Sequence, residues 1–281
     1  MGLPGCDIDD GMALLYLLGQ EQIHLAAVTT SFGNSTIEKV YANTQRMFRE
    51  LRLEHIPLKK GAFSRQDRHS EASHFLAADI SRRQQPVTLL ITGSPTNIYA
   101  ACLENLKILD DIEELVFMGG ITEPLMIGGK QMAELNFSSD PEATHYLLNC
   151  PVKKTVLSAQ ICLNAFFDEQ KVQKVSELQD YPALAYLQKP LRLWYDFINR
   201  KYGNPGFHVW DIVAAVYITN PGLFDRHEVS ITSTIDDLHT GFLRTGKVHG
   251  SHRHPVNLPT RIQHIEHFWH CVFESWKHYT S

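Results

Sequence analysis

The chain has 281 residues, 43% of them hydrophobic, enough to bury a substantial core, and residues 1–281 are read as one large domain. A formal net charge of -5 and a pI near 6.3 leave no basic footprint for nucleic acid or an anionic membrane surface, so the expected partner is a small molecule. The five cysteines (Cys6, Cys102, Cys150, Cys162, Cys271) are odd in number and lack paired spacing, which points to reduced thiols rather than a disulfide framework or a zinc site. No signal peptide is evident and no apolar run approaches the ~20 residues of a membrane span, so the expected compartment is the cytoplasm.

Along the chain, the first feature is Pro4-Gly5-Cys6-Asp7-Ile8-Asp9-Asp10, set directly ahead of the apolar run Gly11 to Leu18. Crowded acids repel one another and need a cation, a ligand hydroxyl or a helix N-terminus to hold them. The segment reads as the loop between a strand and a helix, although no residues for that strand stand before it. Strands are then expected at Leu25 to Ser31, Val87 to Thr92, Glu114 to Met118, Val152 to Leu157 and Val229 to Thr234. Ser35-Thr36-Ile37-Glu38 reads as a capping box opening a helix to about Leu51, and Asp140-Pro141 as an N-cap with a first-turn proline. Asp67 to Gln85 and Gly246 to Pro259 read as surface loops. Strand, loop, helix and strand in alternation define an α/β fold, a mostly parallel open sheet with helices on both faces, whose ligands sit at the carboxyl ends of strands.

The residues just after each strand are small or polar: Phe32-Gly33-Asn34, Gly93-Ser94-Pro95-Thr96-Asn97, Met118-Gly119-Gly120, and a little later Glu134-Leu135-Asn136-Phe137. Near the other end, Trp210-Asp211 opens a second apolar helix, so Asp211 is placed to meet the first acidic cluster. Taken singly, each piece is an ordinary cap, turn or core residue. In this order, together with Val28-Thr29-Thr30-Ser31 and Asp140-Pro141-Glu142-Ala143, they resemble the nucleoside hydrolases, the inosine-uridine preferring type and its relatives, from Pro4 to about Trp269.

That resemblance implies a Rossmann-like nucleoside hydrolase fold. It also implies cleavage of the N-glycosidic bond of a ribonucleoside by a calcium-bound water, giving free base and ribose. Asp10, Asp211 and the carbonyl of Thr96 would hold Ca2+, while Asp9, Asn34, Met118, Glu134, Asn136 and Trp210 would bind substrate. Trp210 stands where many members carry a His; an indole stacks on a base but has no acid function, which leans the reading toward purine nucleosides. Base preference is assigned to pocket loops around residues 62–85 and 190–210, and relatives are often dimers or tetramers.

The family pattern also breaks. Its first central strand ends in Asp-x-Asp, and here Met1-Gly2-Leu3 stands there, with Leu3 at the position of the general base. Leucine neither ligates calcium nor accepts a proton, so no catalytic residue is assigned, activity is expected to be impaired, and Asp7 is a poor replacement. A truncated nucleoside hydrolase and a non-catalytic nucleoside- or ribose-binding pseudoenzyme are the alternatives. Gly128 replaces an expected sugar-contacting Asn, and Ser158-Ala159-Gln160 comes after a strand where the family commonly has an Asp. His249, His252 and His254 read as a polar loop, since no carboxylate or Cys completes a ligand set.

Overall fold

The computed structural model describes residues 5–247 and 254–280. Its central sheet is six-stranded, in the order β11-β10-β12-β7-β4-β3, built from β3 (Val87–Ile91), β4 (Ile112–Met118), β7 (Lys153–Leu157), β10 (Glu228–Ile231), β11 (Thr245–Gly246) and β12 (Val256–Asn257). The pairs β3/β4, β4/β7 and β7/β12 are parallel, and β10 is antiparallel to both of its neighbours, giving a mostly parallel sheet as expected. Shorter pairs are β1 (Val28–Thr29) with β2 (Leu58–Lys59), β5 (Met126–Ile127) with β6 (Lys130–Gln131), and β8 (Phe166–Asp168) with β9 (Gly206–His208).

Helices cover both faces: α1 (Asp9–Leu18), α2 (Ile37–Glu50), α3 (Glu71–Ile80), α4 (Thr96–Glu104), α5 (Pro141–Asn149), α6 (Ala159–Cys162), α7 (Glu169–Glu177), α8 (Pro182–Tyr202), α9 (Trp210–Thr219), α10 (Ile235–Leu238) and α11 (Ile265–His278). The period-two geometry of β4 shows why the sheet needs both layers. Val116 and Met118 enter the apolar cluster formed with α1, α8, α9 and α11, whereas Leu115 and Phe117 enter the one formed with α4, α5 and α10. No helix among the described residues is long and apolar enough to cross a membrane.

Among the described residues β3 pairs only with β4, and β1 and β2 stand apart as a parallel pair. Asn97 links the two groups, its Nδ2 donating to the Thr30 carbonyl at 2.8 Å and its Oδ1 accepting from the Ala62 N–H at 3.0 Å. The strand ends that carry Thr30 and Thr92 are thereby held toward the same side.

Several local expectations change. The Leu25 to Ser31 strand contracts to Val28–Thr29. The first residue outside α2 is Thr36, not Ser35, and it makes no side-chain cap bond; a capping box forms instead at α10, between Thr234 and Asp237. Asp67 to Gln85 is not all loop, because Ser70 caps α3 through the Ser73 N–H and Ala72, Ser73, Ala77 and Ile80 bury one helical face. Part of Gly246 to Pro259 is likewise strand, with Val256 pairing with both β10 and β7. The Asp140 cap of α5 forms as expected, with Pro141 in the first turn.

The helix that carries Asp9 and Asp10 is fixed from behind by α11. Trp276 Nε1 donates to the Met12 carbonyl at 3.1 Å, Ser275 Oγ donates to the Tyr16 carbonyl at 2.5 Å, and a Cβ on Gly19 would lie 1.8 Å from the Ser275 carbonyl oxygen. Gly19→Ala is therefore expected to destabilise the protein by about 2 kcal/mol or more, read from urea unfolding midpoints, because neither backbone can yield. A change below about 0.5 kcal/mol would refute this close packing.

Candidate active site

Three acids from two helix starts form the centre. Asp9 and Asp10 open α1, Asp211 is the second residue of α9, and α1 and α9 pack side by side. One carboxylate oxygen from each of Asp9, Asp10 and Asp211 lies within 4.8 Å of the others. Asp9 Oδ2 accepts the Asp211 main-chain N–H at 3.0 Å, and Asp10 Oδ1 accepts from the Thr92 hydroxyl at 3.1 Å. The apolar runs C-terminal to the acids explain the placement, since burying them brings both N-termini to the carboxyl end of the sheet.

This arrangement is electrostatically unfavourable on its own. Asp9 and Asp211 are 3% and 4% exposed, and burial first, then repulsion from neighbouring acids, pushes both carboxyls well above the ordinary range. Asp7, whose Oδ1 accepts the Ile8 N–H at 2.7 Å, is raised to about 6, chiefly by burial. Behind them, burial and then the charges of Asp211 and Asp9 drive the Cys162 thiol upward, so it is an inert packing group. A cluster of oxygen-only donors of this kind is a candidate site for a hard divalent cation.

The acids open into a cavity of about 260 Å³. Asp9, Asp10, Asn34, Met118, Glu134, Asn136, Trp210 and Asp211, eight of the nine residues singled out from the sequence, line it together with Asp7. Thr96 is the exception: fully buried at the start of α4, it donates its hydroxyl to Asp140 Oδ2 at 2.6 Å, and Thr92 is the β3-end residue whose side chain reaches the acids. Leu3, the expected base position, lies outside the described residues, as do His249 and His252, while His254 is exposed.

An apolar wall was not anticipated. Ile127 and Met132, in and beside the β5/β6 hairpin, together with Ile198 and Tyr202 on α8 and with Phe207 and His208, face the cavity. The signal was present in the apolar spacing of Leu187, Leu191, Trp194 and Ile198, all buried on one face of α8. Residues 190–202 are thus helix rather than loop, and no residue of 62–85 lines the cavity. His208 packs against Trp210 and Phe166 with ring centroids 5.2 and 5.1 Å apart, and burial lowers its pKa to about 4, so it is a neutral aromatic surface near pH 7. Gly128 is a turn residue: with Gly129 it takes positive φ (55° and 73°) in the tight hairpin between β5 and β6, a conformation that a side chain would strain. Gln160 is used structurally, accepting from the Thr122 N–H at 2.8 Å and donating to the Glu123 carbonyl at 2.9 Å.

An open α/β sheet with an acidic centre and an aromatic-walled cavity at its carboxyl ends defines a small-molecule site. The chain belongs to the inosine-uridine preferring nucleoside hydrolase family, whose model matches residues 4–270. It is 25% identical to the inosine-uridine preferring nucleoside hydrolase of Crithidia fasciculata, over 96% of this chain and 95% of that protein. It is also 25% identical to the pyrimidine-specific ribonucleoside hydrolase RihA of Shewanella sp. strain MR-7, over 78% of this chain and 77% of the relative. Among solved structures, a plant nucleoside hydrolase superposes with a TM-score of 0.85 at 17% identity, covering 96% of both chains. The purine-preferring ribonucleoside hydrolase of Gardnerella vaginalis gives 0.83 at 17%, covering 96% of this chain and 95% of that one. These likenesses bear out the expected fold.

The acids tie stability to pH with a definite sign. Carboxyls raised from their ordinary 3.8, Asp7 to about 6 and Asp9 and Asp211 well upward, favour the folded state at low pH and lose that contribution as pH climbs through the folded values. A cation that neutralises them reverses the loss, so the rise in Tm on adding calcium should be larger at pH 8 than at pH 5. Differential scanning fluorimetry across that range checks it; a calcium shift that is absent or independent of pH contradicts the assignment.

Proposed function

We propose that this chain acts on ribonucleosides, hydrolysing the N-glycosidic bond to free base and ribose. The observation that carries the reading is the two-sided cavity, with carboxylates and amides for a sugar on one side and an aromatic, aliphatic wall for a base on the other. Asp9, Asn34 and Asn136 are assigned to ribose hydroxyls, since amide and carboxylate oxygens accept O–H donors directly. Asp10 and Asp211 are assigned to calcium, with Thr92, whose hydroxyl already meets Asp10, rather than Thr96 as the strand-end residue beside them. Bound there, the ion supplies a Lewis-acid centre that polarises water.

The remaining chemistry belongs to the protein. As the base departs, positive charge grows on the ribose ring, and a buried anionic cluster stabilises that charge more than it stabilises the neutral substrate. Trp210, backed by His208 and Phe166, presents a broad stacking face, which supports a preference for purines. Neither an indole nor a neutral imidazole protonates the leaving base, so stacking is the activation this wall provides.

Leu3 at the base position supports slow turnover by this chain and a second reading, in which it binds nucleosides without cleaving them. Release of free base from inosine, adenosine and uridine in the presence of calcium tests both readings. We expect slow release favouring the purine nucleosides, an increase of about a hundredfold in Leu3→Asp, and loss of activity in Asp10→Ala. Trp210→Ala should raise KM for inosine by roughly tenfold, the worth of one stacked base. Binding of inosine with no base release from either the chain or Leu3→Asp would favour the binding reading, and absence of both would reject each.

A further inference from the structure

The cavity carries its charge unevenly. Asp7, Asp9, Asp10, Glu134 and Asp211 line it, and no Lys or Arg does. Two ammonium groups stand just outside, both beside Tyr202, the residue that ends α8 and faces the cavity. Lys130 Nζ lies 5.5 Å from the centroid of the Tyr202 ring, and Lys201 Nζ lies 5.1 Å from it and 5.2 Å from that of Phe197. These are cation–π distances, so the rings give both ammoniums a preferred place.

The two lysines reach that ring from segments far apart in the chain. Lys130 opens β6, and the Gly128-Gly129 turn before it meets the end of α8, where a Cβ on Gly128 would lie 3.2 Å from the Tyr202 carbonyl oxygen. Gly203, at a φ of 65°, donates its N–H to the Asn199 carbonyl at 2.8 Å and so ends the helix at Tyr202. Lys59, Lys60, Lys153, Lys171 and Lys277 each meet a carboxylate, whereas Lys130 and Lys201, both exposed, meet none among the described residues. Tyr202 belongs with Ile198, Phe207 and His208 to the wall assigned to the base. Positive charge therefore stands at the base end of the cavity and the acids at the sugar end, which sets a field along it.

We infer that Lys130 and Lys201 are specificity-determining residues, which favour nucleosides whose base is an anion near neutral pH, as that of xanthosine is, over nucleosides whose base is neutral. This rests on the nucleoside reading of the cavity. The ammoniums act across the Tyr202 ring without touching the base, and their exposure keeps the effect modest and open to screening by salt.

Titration calorimetry in calcium at neutral pH with xanthosine and guanosine tests the assignment, since the two bases are similar in size and differ in charge. The chain itself is compared with Lys130→Gln, Lys201→Gln, the double Gln variant and a double variant carrying Arg at both positions, all changes on the exposed surface. We expect the chain to bind xanthosine more tightly than guanosine. The double Gln variant should shift the ratio of the two Kd values toward guanosine by about fivefold, and each single variant by about twofold. The double Arg variant should keep the preference, and raising salt from about 50 mM to about 500 mM should erode it in the chain but not in the double Gln variant. Disturbed packing would weaken both nucleosides alike and leave the ratio where it was. Inosine and inosine 5′-monophosphate form a second pair, with the anion on the sugar instead of the base. A xanthosine-to-guanosine ratio that the Gln variants do not move, or a loss confined to the monophosphate, would overturn the inference while leaving the nucleoside reading intact. Failure of the unmodified chain to bind any of the four would overturn both.

Discussion

Confinement of like charge organises this molecule. Asp9 and Asp211 sit almost fully buried with a carboxylate contact shared through the Asp211 N–H, and Asp10 and Asp7 stand beside them. Burying carboxylates so close together is unfavourable unless something offsets it. The fold contributes two helix N-termini and single hydrogen-bond donors, and the remaining imbalance is the physical ground for proposing a cation there. Placement of α1 and α9, the packing of α11 behind α1, and the direction of the parallel sheet all bear on whether these acids meet.

Around that centre the cavity divides its labour between rigid and aromatic parts. The polar residues stand at strand ends or on a turn whose backbone is held by Glu134, so their geometry is set before any ligand arrives. The apolar side is made from α8, the segment entering α9 and a two-residue hairpin, and its rings pack on one another. In the proposed reading, the first set would recognise a sugar through directional bonds and the second a base through area. Preorganisation of the polar side matters most where charge develops during glycosidic cleavage, since any donor or acceptor that must reorient then gives back part of its effect.

The fold was legible to different depths. The strands at 112–118 and 153–157 are legible from the short apolar runs Leu115 to Met118 and Val156 to Leu157 that end them, consistent with burial on both faces of a parallel sheet. Asp140-Pro141 was legible because a cap and a first-turn proline act within four residues. Ser35 misled because the box pattern was satisfied in sequence, while the chain entered α2 one residue later. The helix at 71–80 lies inside a longer polar and charged stretch, and its buried face rests mainly on small side chains that carry little hydrophobic signal. Eight of the nine expected site residues line the cavity, Asp9, Asp10, Met118, Trp210 and Asp211 at strand ends or helix starts and Asn34, Glu134 and Asn136 in loops, whereas the aromatic wall joins segments whose meeting only the tertiary fold specifies.

By itself, the sequence determined the class of fold, the strand ends at which a ligand would sit, and the acids that would face it, since all of these arise from local periodicity and from residue types at fixed places. Tertiary structure alone decided what those groups are able to do. It raised Asp9 and Asp211 by removing water and setting them side by side, gave the Glu134 carboxylate main-chain N–H partners at the edge of the cavity, and placed α8 on the wall that also carries Trp210. Solvation, charge proximity and the filling of lone pairs depend on distances between residues far apart in the chain, and no pattern along it specifies them.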